Sequence, residues 1–306
     1  MRIVDWVAPR DLSQVAKLQW TAKNIVEGYC SGRHRSPHQG FSVEFKEHRS
    51  YVRGDELKSI DWKAFGKSDR LFVRLYEEET NLRCHLIFDR SASMLYAGDR
   101  AIREDQRPLS KFEYAKRLAA ALTYLLISQQ DSVGVMTFDK KIRSVIPCRS
   151  RPGHLASIMS VLAQDGKHGE TDLGDVLTKA AAKVGRRSLV VLISDGGGEI
   201  DSIARALSII RGRQNEVVFL QIQDPDERDF PFQGRVQFHD LENAVAEQTV
   251  DTASIRQAYL QRYQDHQNQL SDLCRRNRID LLTLTSDQPL GQSLAEYLAR
   301  RRRTRG

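Results

Sequence analysis

Along most of this chain, short runs of consecutive apolar residues alternate with segments whose apolar residues recur every third or fourth position. The runs are Cys84 to Phe88, Val133 to Phe138, Ile142 to Ile146, Leu189 to Ile193, Val217 to Ile222 and Ile279 to Leu284. Between them, a segment starting near Ser110 sets Ala115, Leu118, Ala119, Leu122 and Leu126 on one face of a helix. Ser110 and Glu113 fit a capping box, in which each side chain would satisfy an orphan amide of the first turn. A further helix is expected just after Thr171, with Leu173, Val176, Leu177 and Ala180 facing inward. Near-continuous apolar strands alternating with helices predict an α/β fold whose mostly parallel sheet is buried on both faces. In open sheets of that kind, sites form at the carboxyl ends of strands.

Upstream, the pattern changes. Val15, Leu18, Trp20, Ala22 and Ile25 predict an amphipathic helix over Leu12 to about Glu27. The stretch that follows offers short alternating segments, Phe41 to Phe45 and Leu71 to Leu75, around the turn signal Arg53-Gly54-Asp55. Residues 1–80 are therefore expected to form a helix and a small β-rich subdomain, and residues 81–306 the large domain.

Composition narrows the function classes. A chain of 306 residues with 40% hydrophobic content can fill one sizeable core and an appendage. Of the net charge of +7, five units come from Arg300, Arg301, Arg302, Arg303 and Arg305, which leaves the body close to neutral. Such a tail suits the negative end of a helix, so no specific nucleic-acid binding is expected. Cys30, Cys84, Cys148 and Cys274 lie far apart with no C-x-x-C pair, which argues against a zinc site or a disulfide framework. The N-terminus has no apolar signal region, and the longest apolar run, Leu118 to Ile127, is too short for a membrane span. A soluble, cytoplasmic protein is expected.

Two of the predicted core strands end in aspartate. The first runs into "FDRSASM", with Asp89, Ser91 and Ser93; the fourth runs into "ISDGGGE", with Asp195. Thr171 precedes a helix that lies between them in sequence. Each residue alone reads as a turn or helix cap. Together, two carboxylates and three hydroxyls at one edge of a parallel sheet make an oxygen-only shell suited to Mg²⁺ or Mn²⁺. Two negative charges roughly balance a divalent ion, which then keeps affinity for one further anionic ligand, such as a Glu or Asp of a partner protein.

Asp89-x-Ser91-x-Ser93, Thr171 and Asp195 resemble the metal-ion-dependent adhesion site of von Willebrand factor type A domains, in that family's order. The resemblance implies a Rossmann-like, doubly wound sheet with helices on both faces. It also implies hydroxyl ligands in Ser91, Ser93 and Thr171, and negative charge from Asp89 and Asp195. The flank is similar to the block that precedes such a domain in the bacterial domain-of-unknown-function family fifty-eight. Gly40, Phe45, Arg49, Tyr51, Gly54, Asp55, Ile60, Asp61 and Trp62 meet its pattern, and the C-terminal "IDLLTLTSDQPLGQSLAEYLARR" resembles its last strand and helix. Members of that family are commonly associated with MoxR-type AAA+ ATPases, so the resemblance implies a non-catalytic adaptor or co-chaperone. Many relatives begin with transmembrane helices, from which this chain departs.

Other motifs weigh less. "FGKS" at Phe65 to Ser68 is no phosphate loop, because Asp61 stands where its first glycine is required. His34 and His38 have metal-like spacing, but Pro37 argues against the helix that would align them. Asp61 and Trp62 are expected to hold a turn and to anchor the small unit. The enzyme alternative is a Mg²⁺-dependent phosphohydrolase of the haloacid-dehalogenase kind with Asp89 as nucleophile. Its general acid would fall at Ser91, which cannot serve near neutral pH, and it would need a phosphate-anchoring lysine and further acids.

Overall fold

The computed structural model describes residues 43–52, 60–68, 70–78, 82–104, 106–151, 153–166, 172–239, 241 and 247–291. The expected N-terminal helix, His34, His38, the Gly54-Asp55 turn, Thr171 and the arginine tail all lie outside the described residues. Two compact units are present, one within His34–Leu82 and one within Arg83–Gly306.

In the small unit, β1 (Val43–Ser50) pairs antiparallel with β2 (Phe72–Glu78), with a register shift between Phe45 and Glu47. The connection carries a short helix, α1 (Trp62–Ser68). Asp61 is buried and its Oδ1 accepts the Ala64 amide at 3.1 Å, so it caps that helix as the turn role predicted. Trp62 is exposed and stands edge-on to Phe65, while Ile60 and Val73 are buried apolar residues of this unit. The "FGKS" stretch forms the end of α1, which disposes of a phosphate loop.

The large unit contains a six-stranded sheet. Its strands are β3 (Arg83–Asp89), β6 (Ser132–Phe138), β7 (Ile142–Arg149), β8 (Leu189–Ser194), β9 (Glu216–Gln223) and β12 (Asp280–Thr285). They lie in the order β12-β9-β8-β3-β6-β7, with every pairing parallel except that of the edge strand β7. Counted within this sheet the order is 3-2-1-4-5-6, the doubly wound arrangement that the sequence resemblance implies. The strand order reverses between the parallel neighbours β3 and β8, which makes their carboxyl ends the topological switch point, the place where sheets of this kind bind ligands. The short β4 (Arg103–Glu104) and β5 (Arg107–Pro108) form a separate ribbon, as do β10 (Arg235–His239) and β11 (Glu247–Asp251).

The layer helices are α2 (Lys111–Ser128), α3 (His154–Leu162), α4 (Leu173–Lys183), α5 (Ile200–Gly212), the short α6 (Pro225–Asp229) and α7 (Thr252–Arg276). Ser110 caps α2 by accepting the Glu113 amide at 3.1 Å, but the Glu113 carboxylate pairs with Lys116 rather than returning to the cap. Leu125, not Leu126, completes the buried face of α2, and Ala119, Ala120 and Ala121 are all fully covered. On the sheet's other face, Ile87, Val190, Leu192 and Phe219 pack with Val176, Leu177, Ile203 and Leu207 of α4 and α5. Among the described residues no helix is long and apolar enough to cross a membrane.

Candidate metal centre

β3 ends at Asp89, which is 2% exposed. Its Oδ1 accepts the Ser91 amide at 2.8 Å, a local bond that turns the chain sharply as it leaves the strand. A single 3₁₀ turn, Ser93–Leu95, follows and brings the Ser91 and Ser93 hydroxyl oxygens to 3.1 Å. On the neighbouring strand Ser194 donates its hydroxyl to Asp89 Oδ2 at 2.6 Å and accepts the Gly196 amide at 3.1 Å. Asp195 then leaves β8 with its Oδ1 accepting the Gly197 amide at 3.1 Å, and the nearby Ser93 hydroxyl helps to stabilise its charge.

The three glycines have unequal roles. Gly196 (φ 79°) and Gly198 (φ 123°) lie in the left-handed region, and a Cβ on Gly196 would stand 3.0 Å from Leu270 Cδ2. Gln221 of β9 donates to the Asp195 carbonyl at 3.0 Å, and His266 of α7 lies 3.0 Å from the Gly196 carbonyl. The loop is therefore fixed from both β9 and α7.

Asp89, Ser91, Ser93 and Asp195 thus stand together across the switch point; Thr171, the fifth predicted donor, lies outside the described residues. The donor set fits a hard cation. Donors about 2.1 Å from Mg²⁺ on adjacent corners of an octahedron are about 3.0 Å apart, close to the separation of the two serine oxygens. Among the described residues no cluster of three His, Cys, Asp or Glu side chains has metal-ligand geometry, so an ion here would rely on hydroxyls beside two carboxylates.

The sequence did not disclose three further participants. One is Ser194. The others are Lys111, at the start of α2, and Glu227, on α6. The Lys111 ammonium is buried and donates to Asp195 Oδ2 at 3.0 Å and to Glu227 Oε1 and Oε2 at 2.7 and 2.9 Å. The α6 segment had a readable signal: Asp224-Pro225-Asp226-Glu227 follows an apolar strand and forms a full capping box.

Electrostatics separates the two aspartates. Burial, and then the Asp195 charge, push Asp89 up to about 7 against the hydrogen bonds from Ser194 and Ser91. Burial also pushes Asp195 up, but the Lys111 ammonium, the Gly197 amide and Ser93 outweigh it and bring its carboxyl below the usual range. Glu227 is raised by burial more than Lys111 lowers it.

Arg90, between Asp89 and Ser91, turns the other way. Its guanidinium donates to Gln164 Oε1 at 3.1 Å and to the Asp165 carbonyl, which ties these two residues just after α3 to the end of β3.

A family model described as "Protein of unknown function DUF58" matches residues 47–269. An uncharacterized protein of Mycobacterium tuberculosis is 24% identical over 298 residues, covering 96% of this chain and 91% of its own length. A Mycobacterium bovis protein, also uncharacterized, matches to the same degree. Among solved structures, the conserved hypothetical protein BatB from Bacteroides thetaiotaomicron is 17% identical, with a TM-score of 0.43 over 70% of this chain and 98% of BatB. The SpRpn10 VWA domain is 13% identical, with a TM-score of 0.40 over 70% of this chain and 94% of that domain.

Proposed function

The chain belongs to the DUF58 family, and from that premise we propose that it is a non-catalytic, divalent-metal-dependent protein-binding module. The observation that carries this reading is the meeting of Asp89, Ser91, Ser93 and Asp195 at the switch point, a set of oxygens with neutral donors among them. Mg²⁺ or Mn²⁺ would be held by those residues with Thr171. A bound ion supplies a Lewis-acidic position able to take an acidic side chain from a partner. The protein's own groups do the rest: Ser194 and the Ser91 amide orient Asp89, while Gly197 and Lys111 orient Asp195.

The partner proposed is a MoxR-type AAA+ ATPase, with this chain as its adaptor or co-chaperone in the cytoplasm. The test is a binding assay between the purified chain and the MoxR-type ATPase of the same genome. Binding in Mg²⁺ that is lost in chelator and lost in Ser91→Ala/Ser93→Ala supports the reading. Equal binding in chelator contradicts a metal-bridged contact.

One observation favours a second reading, the haloacid-dehalogenase-type phosphohydrolase. Lys111 and Glu227 place a lysine and a further acid beside Asp195, which are parts that chemistry requires. Against it, both Asp89 oxygens already accept hydrogen bonds and Ser91 stands where the general acid would be. Mg²⁺-dependent turnover of a generic phosphomonoester, abolished in Asp89→Asn, would establish the enzyme and displace the adaptor.

A further inference from the structure

Lys111 carries an ammonium into a site otherwise built to attract a cation. Its side chain is 2% exposed, its backbone amide donates to the Tyr96 carbonyl at 2.9 Å, and its Nζ bridges Asp195 and Glu227. Burying that charge without partners would be prohibitive, so the two carboxylates are what make it tenable. The bridge also joins two separate strand ends, since Asp195 follows β8 and Glu227 lies on the helix that follows β9.

The charges sum to a definite result. With all its carboxylates ionised, the state that a bound cation favours, the cluster has three negative charges on Asp89, Asp195 and Glu227 and one positive charge on Lys111, a net of two, enough to balance one divalent ion. Without Lys111 the cluster would carry three, and the half-buried Glu227 carboxylate, whose Oε2 also accepts the Asp224 amide, would add an unbalanced negative charge to the ion's surroundings. Without Glu227 it would carry one, and the ammonium would repel the ion with nothing to offset it.

We infer that Lys111 and Glu227 form an affinity-setting pair for the divalent-ion site: Lys111 positions Asp195 and limits the pull on the ion, and Glu227 offsets the ammonium. This rests on the metal-binding reading above. The hydrogen bonds of the Lys111 ammonium go to the Asp195 and Glu227 carboxylates. Both act through Asp195 and through the local potential, as positioning residues.

The experiment is calorimetric titration of the full chain with Mg²⁺, and separately Mn²⁺, for the wild type, Lys111→Met, Glu227→Gln and the double variant. A unit charge acting on a divalent ion a few ångströms away is worth on the order of tenfold in affinity. Lys111→Met is expected to bind about tenfold tighter, Glu227→Gln about tenfold weaker, and the double variant within a few-fold of wild type. A purely structural role for Lys111 predicts the opposite sign, weaker binding in Lys111→Met. If wild type binds and folded Lys111→Met binds equally or more weakly, the inference is overturned while the metal site stands. If wild type binds neither ion, the metal reading fails and the inference with it. Should Lys111→Met fail to fold, Glu227→Gln decides alone: unchanged or tighter binding overturns the pair. Ion-dependent thermal stabilisation gives a second readout and is expected to be larger in Lys111→Met than in wild type.

Discussion

Ser194 donates its hydroxyl to Asp89 Oδ2 at 2.6 Å across two neighbouring parallel strands. One bond therefore joins the ends of the two parallel strands between which the strand order reverses. The same hydroxyl oxygen accepts the Gly196 amide, so it fixes the Asp195 loop as well. Ser194→Ala should cost about 1.5–3 kcal/mol, the range for a buried hydrogen bond to a group that can ionise. Urea unfolding of the chelator-treated protein measures this, and a change below about 0.5 kcal/mol would contradict the tie.

Gly196 takes a left-handed backbone, with Leu270 and Phe219 close to where a Cβ would project. Gly196→Ala should destabilise by about 1–2 kcal/mol from the backbone term alone, with crowding added. Because Asp195 is the preceding residue, any divalent-ion affinity should fall in the same variant. Gly212 lies at the end of α5 with open space around it, so Gly212→Ala serves as the contrast in the same unfolding series, expected to stabilise by about 0.4–1 kcal/mol.

Asp224 directly follows β9 just as Asp195 directly follows β8, yet its role is structural. It accepts the amides of Gly98 and Asp226 at 3.0 and 2.8 Å and the Ser286 hydroxyl at 3.0 Å. Asp224→Ala removes a helix cap and three partners in a buried position, so a loss of at least about 2 kcal/mol is expected by denaturant unfolding. A fall in stability no larger than that of an exposed substitution such as Lys179→Ala would contradict this assignment.

Cys148 lies beside His85, with its Sγ 3.5 and 3.6 Å from the two ring nitrogens. The contact is no thiolate–imidazolium pair, because burial pushes the thiol up to about 11 and pushes His85 down. Burial pushes Cys274 up to about 12. Thiolate is the reactive form, so a raised value means protection below it. Mass-mapped alkylation of the folded protein at pH 8 should leave both residues slower than in urea, with Cys148 accelerating only as pH approaches 11. Rapid labelling of Cys148 near neutral pH would contradict the burial argument.

The sheet was readable because its strands are covered on both faces, so hydrophobicity alone marked Cys84 to Phe88, Leu189 to Ile193 and Val217 to Ile222. The edge strand β7 alternates between half-buried and exposed positions and runs antiparallel, a direction that its length and composition do not encode. The long α7 went unread because few of its side chains are buried: Thr252 at its start, and Leu270, Leu273 and Cys274 near its other end. Within the site, Asp89, Ser91, Ser93 and Asp195 were legible through spacing and strand ends. Lys111 was not: a lysine at the first position of a helix reads as a surface charge, and its partners lie 84 and 116 residues away. Pairing across such distances is a property of the sheet order, not of any local pattern.

The proposed metal centre stands or falls on whether this oxygen cluster binds a divalent cation. Its most direct measurement is calorimetric titration of Mg²⁺ and Mn²⁺ into the full chain and into Asp89→Asn, which keeps the shape and removes the charge. The account predicts saturable binding of one ion by the wild type and a loss of at least about tenfold in the variant. Absence of binding by the wild type, or equal binding by both proteins, would contradict it.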